Sequence, residues 1–235
     1  MLRRLAFAIL AAAALLGASA PAAPLALTVH LVRTSFDLLD SVGIEVVVHN
    51  PSGSLRTLQF AQPTEYAIEI LRGNDVLWSS LPPTPPPNVT FPPHSHSFGP
   101  GPTTLVVYDW NALTSKGRAP LPGKYAVRAR LLSGNAPSAS VTFSFDAPLP
   151  IAGIAKLKRG QEVTVSGRLD PTHRIFTDTS ASVKLERGLP YAPVDTPLVI
   201  RGYPVDHLDG TRTLAPERWA PFGPPPTAQP APSAS

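Results

Sequence analysis

Wherever this sequence is patterned, the pattern repeats every second residue. Across Val42–Asn50 the side chains of Val42, Ile44, Val46 and Val48 share one face, and Gly43, Glu45, Val47 and His49 share the other. Strand side chains alternate in this way, so one face can pack on a core while the other meets water. Tyr66, Ile68 and Ile70 repeat the pattern, with Ala67 and Glu69 opposite. Gly73-Asn74-Asp75 is turn chemistry leading into Val76-Leu77-Trp78, so these segments are expected to form a hairpin. Val106, Tyr108 and Trp110 mark a further strand face, as do Tyr125, Val127, Ala129 and Leu131, and then Val141, Phe143 and Phe145. An earlier strand is expected over 25–33. This series of short strands, separated by turns and without a long capped period near 3.6, predicts an all-β chain that begins with a two-sheet sandwich over 25–146.

Proline sharpens the boundaries. The chain has 30 prolines in 235 residues, dense over 81–102 and 215–235. Proline interrupts helices and central strands, so the first stretch reads as loop and residues 220–235 as a disordered Pro/Ala/Ser tail. Asp146-Ala147-Pro148-Leu149-Pro150 opens an expected linker over 147–156, because a residue before proline is held extended. A second β pattern covers 157–219. Val163, Val165 and Leu169 alternate with Thr164, Ser166 and Arg168, and further strands are expected over 174–176, 183–187, 198–203 and 211–219. Five strands suffice for a small OB-like barrel, with 188–196 where such barrels carry a helix. A β-hairpin extension packed on the first domain is the other arrangement this pattern allows.

The amino terminus reads as a secretory signal over residues 1–22. Arg3 and Arg4 precede an apolar run from Leu5 to Leu16, and Ala18-Ser19-Ala20 and Ala20-Pro21-Ala22 offer small-residue cleavage sites. Pro21 would lie directly beyond a cut at Ala20, which favours cleavage after Ala22. The apolar run is shorter than the roughly 20 residues a membrane span needs, and no later stretch is apolar enough to span. The expectation is an exported protein, periplasmic or extracellular, without a stable membrane span after cleavage. The chain has no cysteine, so it has neither a disulfide nor a thiol for lipid attachment, and a core must hold it together. Loss of Arg3 and Arg4 lowers the formal net charge from +4 to +2, too modest to argue for nucleic acid as a partner.

An ordered set of motifs runs through the first domain. Ser35-Phe36-Asp37 leads through Asp40-Ser41-Val42 into a Val-rich strand ending Asn50-Pro51-Ser52. Gln62-Pro63-Thr64-Glu65-Tyr66-Ala67-Ile68-Glu69-Ile70 follows, then Val76-Leu77-Trp78-Ser79, Asp109-Trp110 and Leu121-Pro122-Gly123-Lys124-Tyr125-Ala126-Val127. In order and spacing these resemble the BsuPI family of intracellular proteinase inhibitors. The resemblance implies an immunoglobulin-like β-sandwich that binds a protein partner, a protease in the family's founding case. The chain departs from the family pattern at Ala67, where the family has aspartate, and in its proline-rich segment between Trp78 and Tyr108. Trp78, Trp110, Tyr66 and Tyr125 alternate with polar residues and are expected in the core.

Chemistry-bearing motifs are sparse. The sequence has no G-x-S-x-G, no H-E-x-x-H and no phosphate-binding glycine loop. No catalytic, cofactor-binding or metal-binding residue is assigned, no cofactor is expected, and the chain reads as a non-enzyme. His94-Ser95-His96 is the one histidine pair, but 92–101 reads as loop and no third ligand lies nearby in sequence. Asp37 and Asp40 carry oxygens that suit calcium, yet without a third acid they read as turn residues. Lys156, Lys158 and Arg159 read as solvated surface, and Asn88-Val89-Thr90 matches a short glycosylation sequon. The candidate partner-binding loop is Leu81, Pro82, Pro83, Thr84, Pro85, Pro86 and Pro87, because an extended proline-rich segment loses little entropy on docking. The expected function is an exported protein-binding module of the proteinase-inhibitor kind; the alternative is a structural protein of the cell surface or periplasm, serving adhesion or assembly.

Overall fold

The structure, a computed structural model, describes residues 24–82, 91–194 and 196–223. The expected signal over 1–22 therefore lies outside the described residues. The fold is all-β, with several sheets and a small closed barrel.

Ten strands build the first body: β1 (Ala26–Leu31), β2 (Ser35–Phe36), β3 (Val42–Asn50), β4 (Arg56–Phe60), β5 (Tyr66–Arg72), β6 (Asp75–Ser79), β7 (His94–Phe98), β8 (Gly101–Trp110), β9 (Gly123–Leu131) and β10 (Ser138–Phe145). They form a three-stranded sheet in the order β1-β3-β8, a five-stranded sheet in the order β2-β10-β9-β5-β6, and the pair β4-β7. The alternating faces read from sequence are the faces that meet. Val42, Ile44, Val46 and Val48 of one sheet share a core with Ile68, Ile70, Val127 and Ala129 of the other. Trp110, 1% exposed, sits in this core. Its ring meets Phe143 edge-on at 6.5 Å and Phe145 at 6.0 Å, and its indole N–H donates to the Leu113 carbonyl over 2.9 Å, so the polar end of the ring is satisfied. Tyr125 is also buried and sends its hydroxyl to the Leu121 carbonyl.

Two readings of this body need correction. Residues 94–98 are not loop: they form β7, paired antiparallel with β4 from Arg56↔Phe98 to Phe60↔His94. Pro92 and Pro93 end just before the strand and cost it no ladder hydrogen bond. Trp78 and Tyr66 are only half-buried, because β6 lies at a sheet edge and Tyr66 at the first position of β5.

The second body is a closed barrel of β11 (Val163–Leu169), β12 (Ile175–Thr177), β13 (Ser182–Leu185), β14 (Leu198–Asp206) and β15 (Arg212–Pro221), in the cyclic order β11-β12-β13-β15-β14. A hairpin extension is therefore not what the sequence forms. β13 and β15 run parallel, and the other pairs are antiparallel. Val165, Phe176, Leu185, Leu198, Ile200 and Leu214 fill the interior. Closing so small a barrel brings backbones close. A Cβ on Gly167 would stand 2.4 Å from the Thr177 carbonyl oxygen, and one on Gly202 would stand 2.1 Å from that of Ala215. Gly202 also falls at a register shift in the β14–β15 ladder, where the strand bends.

Residues 147–156 do not act as a linker. The Leu149 amide donates to the Thr164 carbonyl over 2.8 Å, and Ile151–Lys156 is a 3-10 helix whose Ile151 and Ile154 are buried in the barrel core. Their i, i+3 spacing places both on one side of a three-residue turn. Residues 220–223 are not part of a disordered tail. Ala220 and Pro221 belong to β15, and the Phe222 amide donates to the Pro197 carbonyl over 2.8 Å. Arg118 donates to the carbonyls of Phe222 and Gly223 over 2.8 and 2.9 Å. Val199, Ala220 and Phe222 pack into the first body's core, so this segment is held by apolar contact as well as hydrogen bonds. Residues 224–235 lie outside the described residues.

Candidate functional site

The proline-rich candidate loop leaves the first body from a fixed point. The Ser80 amide donates to the Ile68 carbonyl over 2.9 Å, and its hydroxyl accepts from the Ile68 amide over 3.0 Å. The Leu81 amide donates to the Ser79 hydroxyl over 3.1 Å. Leu81 and Pro82 are thus placed beside β5, while Pro83, Thr84, Pro85, Pro86 and Pro87 lie outside the described residues, as does the sequon at Asn88-Val89-Thr90.

Glu65 joins the two histidines that the sequence left alone. His94 and His96 project from the same face of β7 toward this side chain. His94 Nε2 lies 3.1 Å from Glu65 Oε1, and His96 Nδ1 lies 2.7 Å from Glu65 Oε2. Phe60 stacks on the His94 ring at 5.4 Å, and Phe98 lies parallel to the His96 ring at 4.5 Å. Each imidazole therefore spends a nitrogen on the same carboxylate and has its ring plane set by an aromatic neighbour. Among the described residues, no three histidine or acidic side chains form a group that could hold a metal ion. The cluster is a pairing device at the joint between β4–β7 and β5. Sequence inspection could not find Glu65, which sits 29 and 31 residues from its partners.

Asp40 takes the expected turn role and a second one besides. It is 2% exposed, and its carboxylate accepts the Asp37 amide over 2.9 Å, as a turn aspartate does. It also pairs with Arg33 of its own body and with Arg201 of β14. Arg218 of β15 donates to the Leu39 carbonyl over 2.6 Å and to that of Asn111 over 3.2 Å. Burial pushes the Arg201 guanidinium below its ordinary value, as expected for a charge withdrawn from water. Asp37 and Asp40 thus sit at the seam between the two bodies, beside the Arg33 and Arg201 guanidinium groups.

The barrel offers two clefts. One, of about 730 Å³, lies beside Leu149, Arg168, Asp178, Pro197 and Phe222. The other, of about 490 Å³, lies between the β11–β12 and β14–β15 loops and is lined by Arg174, Lys184, Glu186, His207, Asp209 and Thr213. In this second cleft a hydroxyl, an imidazole and a carboxylate meet. His207 Nε2 lies 2.7 Å from Glu186 Oε1 and 3.0 Å from Thr213 Oγ1, and the Thr213 hydroxyl donates to Glu186 Oε1. Hydrogen bonds from Thr213 and then His207 hold the Glu186 carboxyl below its usual range. A hydroxyl nucleophile needs a base on one ring nitrogen and an orienting acid on the other. Here the acid and the hydroxyl share one nitrogen, Thr213 is buried, and its proton points at the carboxylate. Arg212 is also committed, to Asp206 over 2.6 and 3.1 Å and to the Ile154, Ala155 and Leu157 carbonyls over 2.9, 3.1 and 3.0 Å. Lys156, Lys158 and Arg159 are exposed at the end of the 3-10 helix and the turn that follows.

Set against known proteins, this chain matches no family model, and no curated protein matches it.

Proposed function

We propose that this chain is an exported, non-catalytic protein-binding module in which an immunoglobulin-like sandwich of the BsuPI kind is joined to an OB-type barrel. The Tyr125 hydroxyl bonded back to the Leu121 carbonyl at the entry to β9 supports the sandwich reading, since a tyrosine corner of this form recurs in immunoglobulin-like folds. The strand order β11-β12-β13-β15-β14, with β13 and β15 parallel, supports the barrel reading. One observation carries the binding reading. Where imidazole and carboxylate meet, at His94–Glu65–His96 and at Glu186–His207–Thr213, the polar atoms are paired with each other. In neither cluster does an imidazole stand between an orienting acid and a hydroxyl on its opposite nitrogen, so this pairing supports a role in holding loops and, with it, the binding reading.

The resemblance makes a serine protease the first partner to test, with Leu81-Pro82-Pro83-Thr84-Pro85-Pro86-Pro87 as the occluding loop. The purified chain should slow at least one member of a broad serine-protease panel. Replacing 81–87 with a Gly-Ser linker should weaken that inhibition and leave the melting temperature unchanged. Full inhibition by the replaced variant would move the site to another loop. No inhibition by the parent would leave the alternative, a structural module of the cell surface or periplasm. The buried charged seam at Asp40 favours that second reading, because it fixes one body on the other as a spacer requires. Recovery of envelope components in a pull-down, with no protease among them, would support it.

A further inference from the structure

The strand edges of the first body are finished in different ways. At the end of the five-stranded sheet, β6 is covered: the Leu77 carbonyl accepts the Ser115 amide over 2.9 Å and the Ser115 hydroxyl over 3.1 Å. β1, at one edge of the three-stranded sheet, packs against β10. The other edge is β8. Among the described residues it pairs with β3 alone, and no further backbone hydrogen bond reaches it. Its run 103–108, Thr-Thr-Leu-Val-Val-Tyr, carries no charge and is rich in strand-forming residues. Val107 is 70% exposed on the outer face of this sheet, and Val32, 86% exposed, lies over Gly43 on the same face. Half-buried Tyr108 meets half-buried Trp78 at 5.2 Å on the flank beside this edge. Unpaired, uncharged edges of this kind template another strand.

We propose that β8 pairs antiparallel with β8 of a second copy of this chain, across a two-fold axis at Val107. The edge is its own complement in that register. Val107 faces Val107 of the copy, Val106 faces Tyr108, and Leu105 faces Asp109, so no like charges are opposed. The β3–β8 ladder slips by one residue at Val46/Val47, leaving Leu105 without a partner on β3. That bulge falls at the end of the pairing segment, where it ends the regular register at Leu105. The contact is isologous and closed, as two-fold association requires.

The absence of cysteine from the chain makes a direct test possible. Val107→Cys in the full chain should oxidise to a covalent dimer, because directly opposed side chains on paired strands lie close enough for a disulfide after small adjustment. Val32→Cys, exposed on the same face but away from the edge, should remain a monomer on a non-reducing gel. By sedimentation equilibrium the unmodified chain should pass from one chain mass to two with rising concentration. Val107→Lys should stay at one chain mass with an unchanged melting temperature. A parent that stays at one chain mass at every concentration would overturn the proposal. So would cross-linking of both cysteine variants to equal extent, or undiminished association of Val107→Lys.

Discussion

The two bodies of this protein are both β structures around a buried core, but opposite devices hold them together. The first is filled: Trp110, Tyr125, Phe143 and Phe145 occupy the space between its sheets, with ring centroids 5.4–6.5 Å apart. The second is drawn tight: at Gly167 and Gly202 its backbones approach so closely that a single added carbon would strike a carbonyl oxygen. A space filled by large side chains writes itself into the sequence as alternation. A close approach writes itself as a missing side chain, which has no period. Strand faces of the first body could therefore be read, whereas closure of the barrel stayed one of two alternatives.

Removing the filling should have the largest effect. Trp110→Ala should cost roughly 3–5 kcal/mol, the usual range for a fully buried large aromatic, and chemical denaturation would measure it. Trp78 is the control within the same body. It is half-buried at the flank, so Trp78→Ala should cost about half as much, scaling with the apolar area withdrawn from water. Equal losses at the two sites would mean that the flank is as well covered as the centre.

Next comes the seam. Asp40 holds two arginines from different bodies; without it Arg33 is half-exposed to water and Arg201 keeps Glu162, so the loss falls on the contact between the bodies and on the Asp37 amide that Asp40 accepts. Asp40→Ala should lower stability by about 1–3 kcal/mol, the scale for a buried acceptor removed from its donors. The calorimetric trace should also change shape. Val199, Ala220 and Phe222 pack in the first body's core, so the parent should unfold in one transition. The variant should show two, the barrel separating from the sandwich. A single unshifted transition would place the coupling in the apolar contacts alone.

Much of the fold was legible because burial and alternation coincide. Val42–Asn50 shows this best: its expected inward residues are the buried ones. The failures have physical causes. β7 hides behind Pro92 and Pro93 and alternates polar residues, so periodicity sees no apolar face. The 3-10 helix hides because two isoleucines three apart, preceded by prolines, look the same in a linker as in a plug. Glu65, Arg201 and Arg218 reach their partners across long stretches of chain, and no local spacing can announce them. In the candidate loop only Leu81 and Pro82 have a described position.

Gly202→Ala tests closure directly and should have an intermediate effect. The added methyl would need the β15 backbone to move, and such overpacking costs typically 1–3 kcal/mol. The same change at Gly53, where nothing lies within 4 Å, should be close to neutral. If both substitutions are neutral, the barrel is looser than its short approach distances require.

The smallest effect concerns acid, and it asks whether 147–156 belongs to the barrel. Asp178 accepts the Ile151 amide over 2.8 Å, the first residue of the 3-10 helix, and the Ser180 and Ala181 amides over 2.7 and 2.9 Å. Burial raises the Asp178 pKa, but hydrogen bonds from Ser180, Ile151 and Ala181 outweigh it and hold the group at about 2, below its ordinary 3.8. A carboxyl with a depressed folded pKa contributes stability that is complete above its unfolded value and is lost as pH falls through the folded one. The contribution of Asp178 should therefore be intact above pH 4 and fade between about 4 and about 2. Asp178→Asn cannot ionise, so its stability should lie below the parent's near neutrality and converge on it at the acid end. Hydrogen exchange at the Ile151 amide is the local readout. It should speed up in the parent across that window, relative to the intrinsic rate, if the carboxylate anchors the helix on the barrel. Unchanged protection of Ile151 in Asp178→Asn would show that Ile151 and Ile154 hold the segment by apolar packing alone, with the carboxylate serving only the Asp178–Ala181 turn.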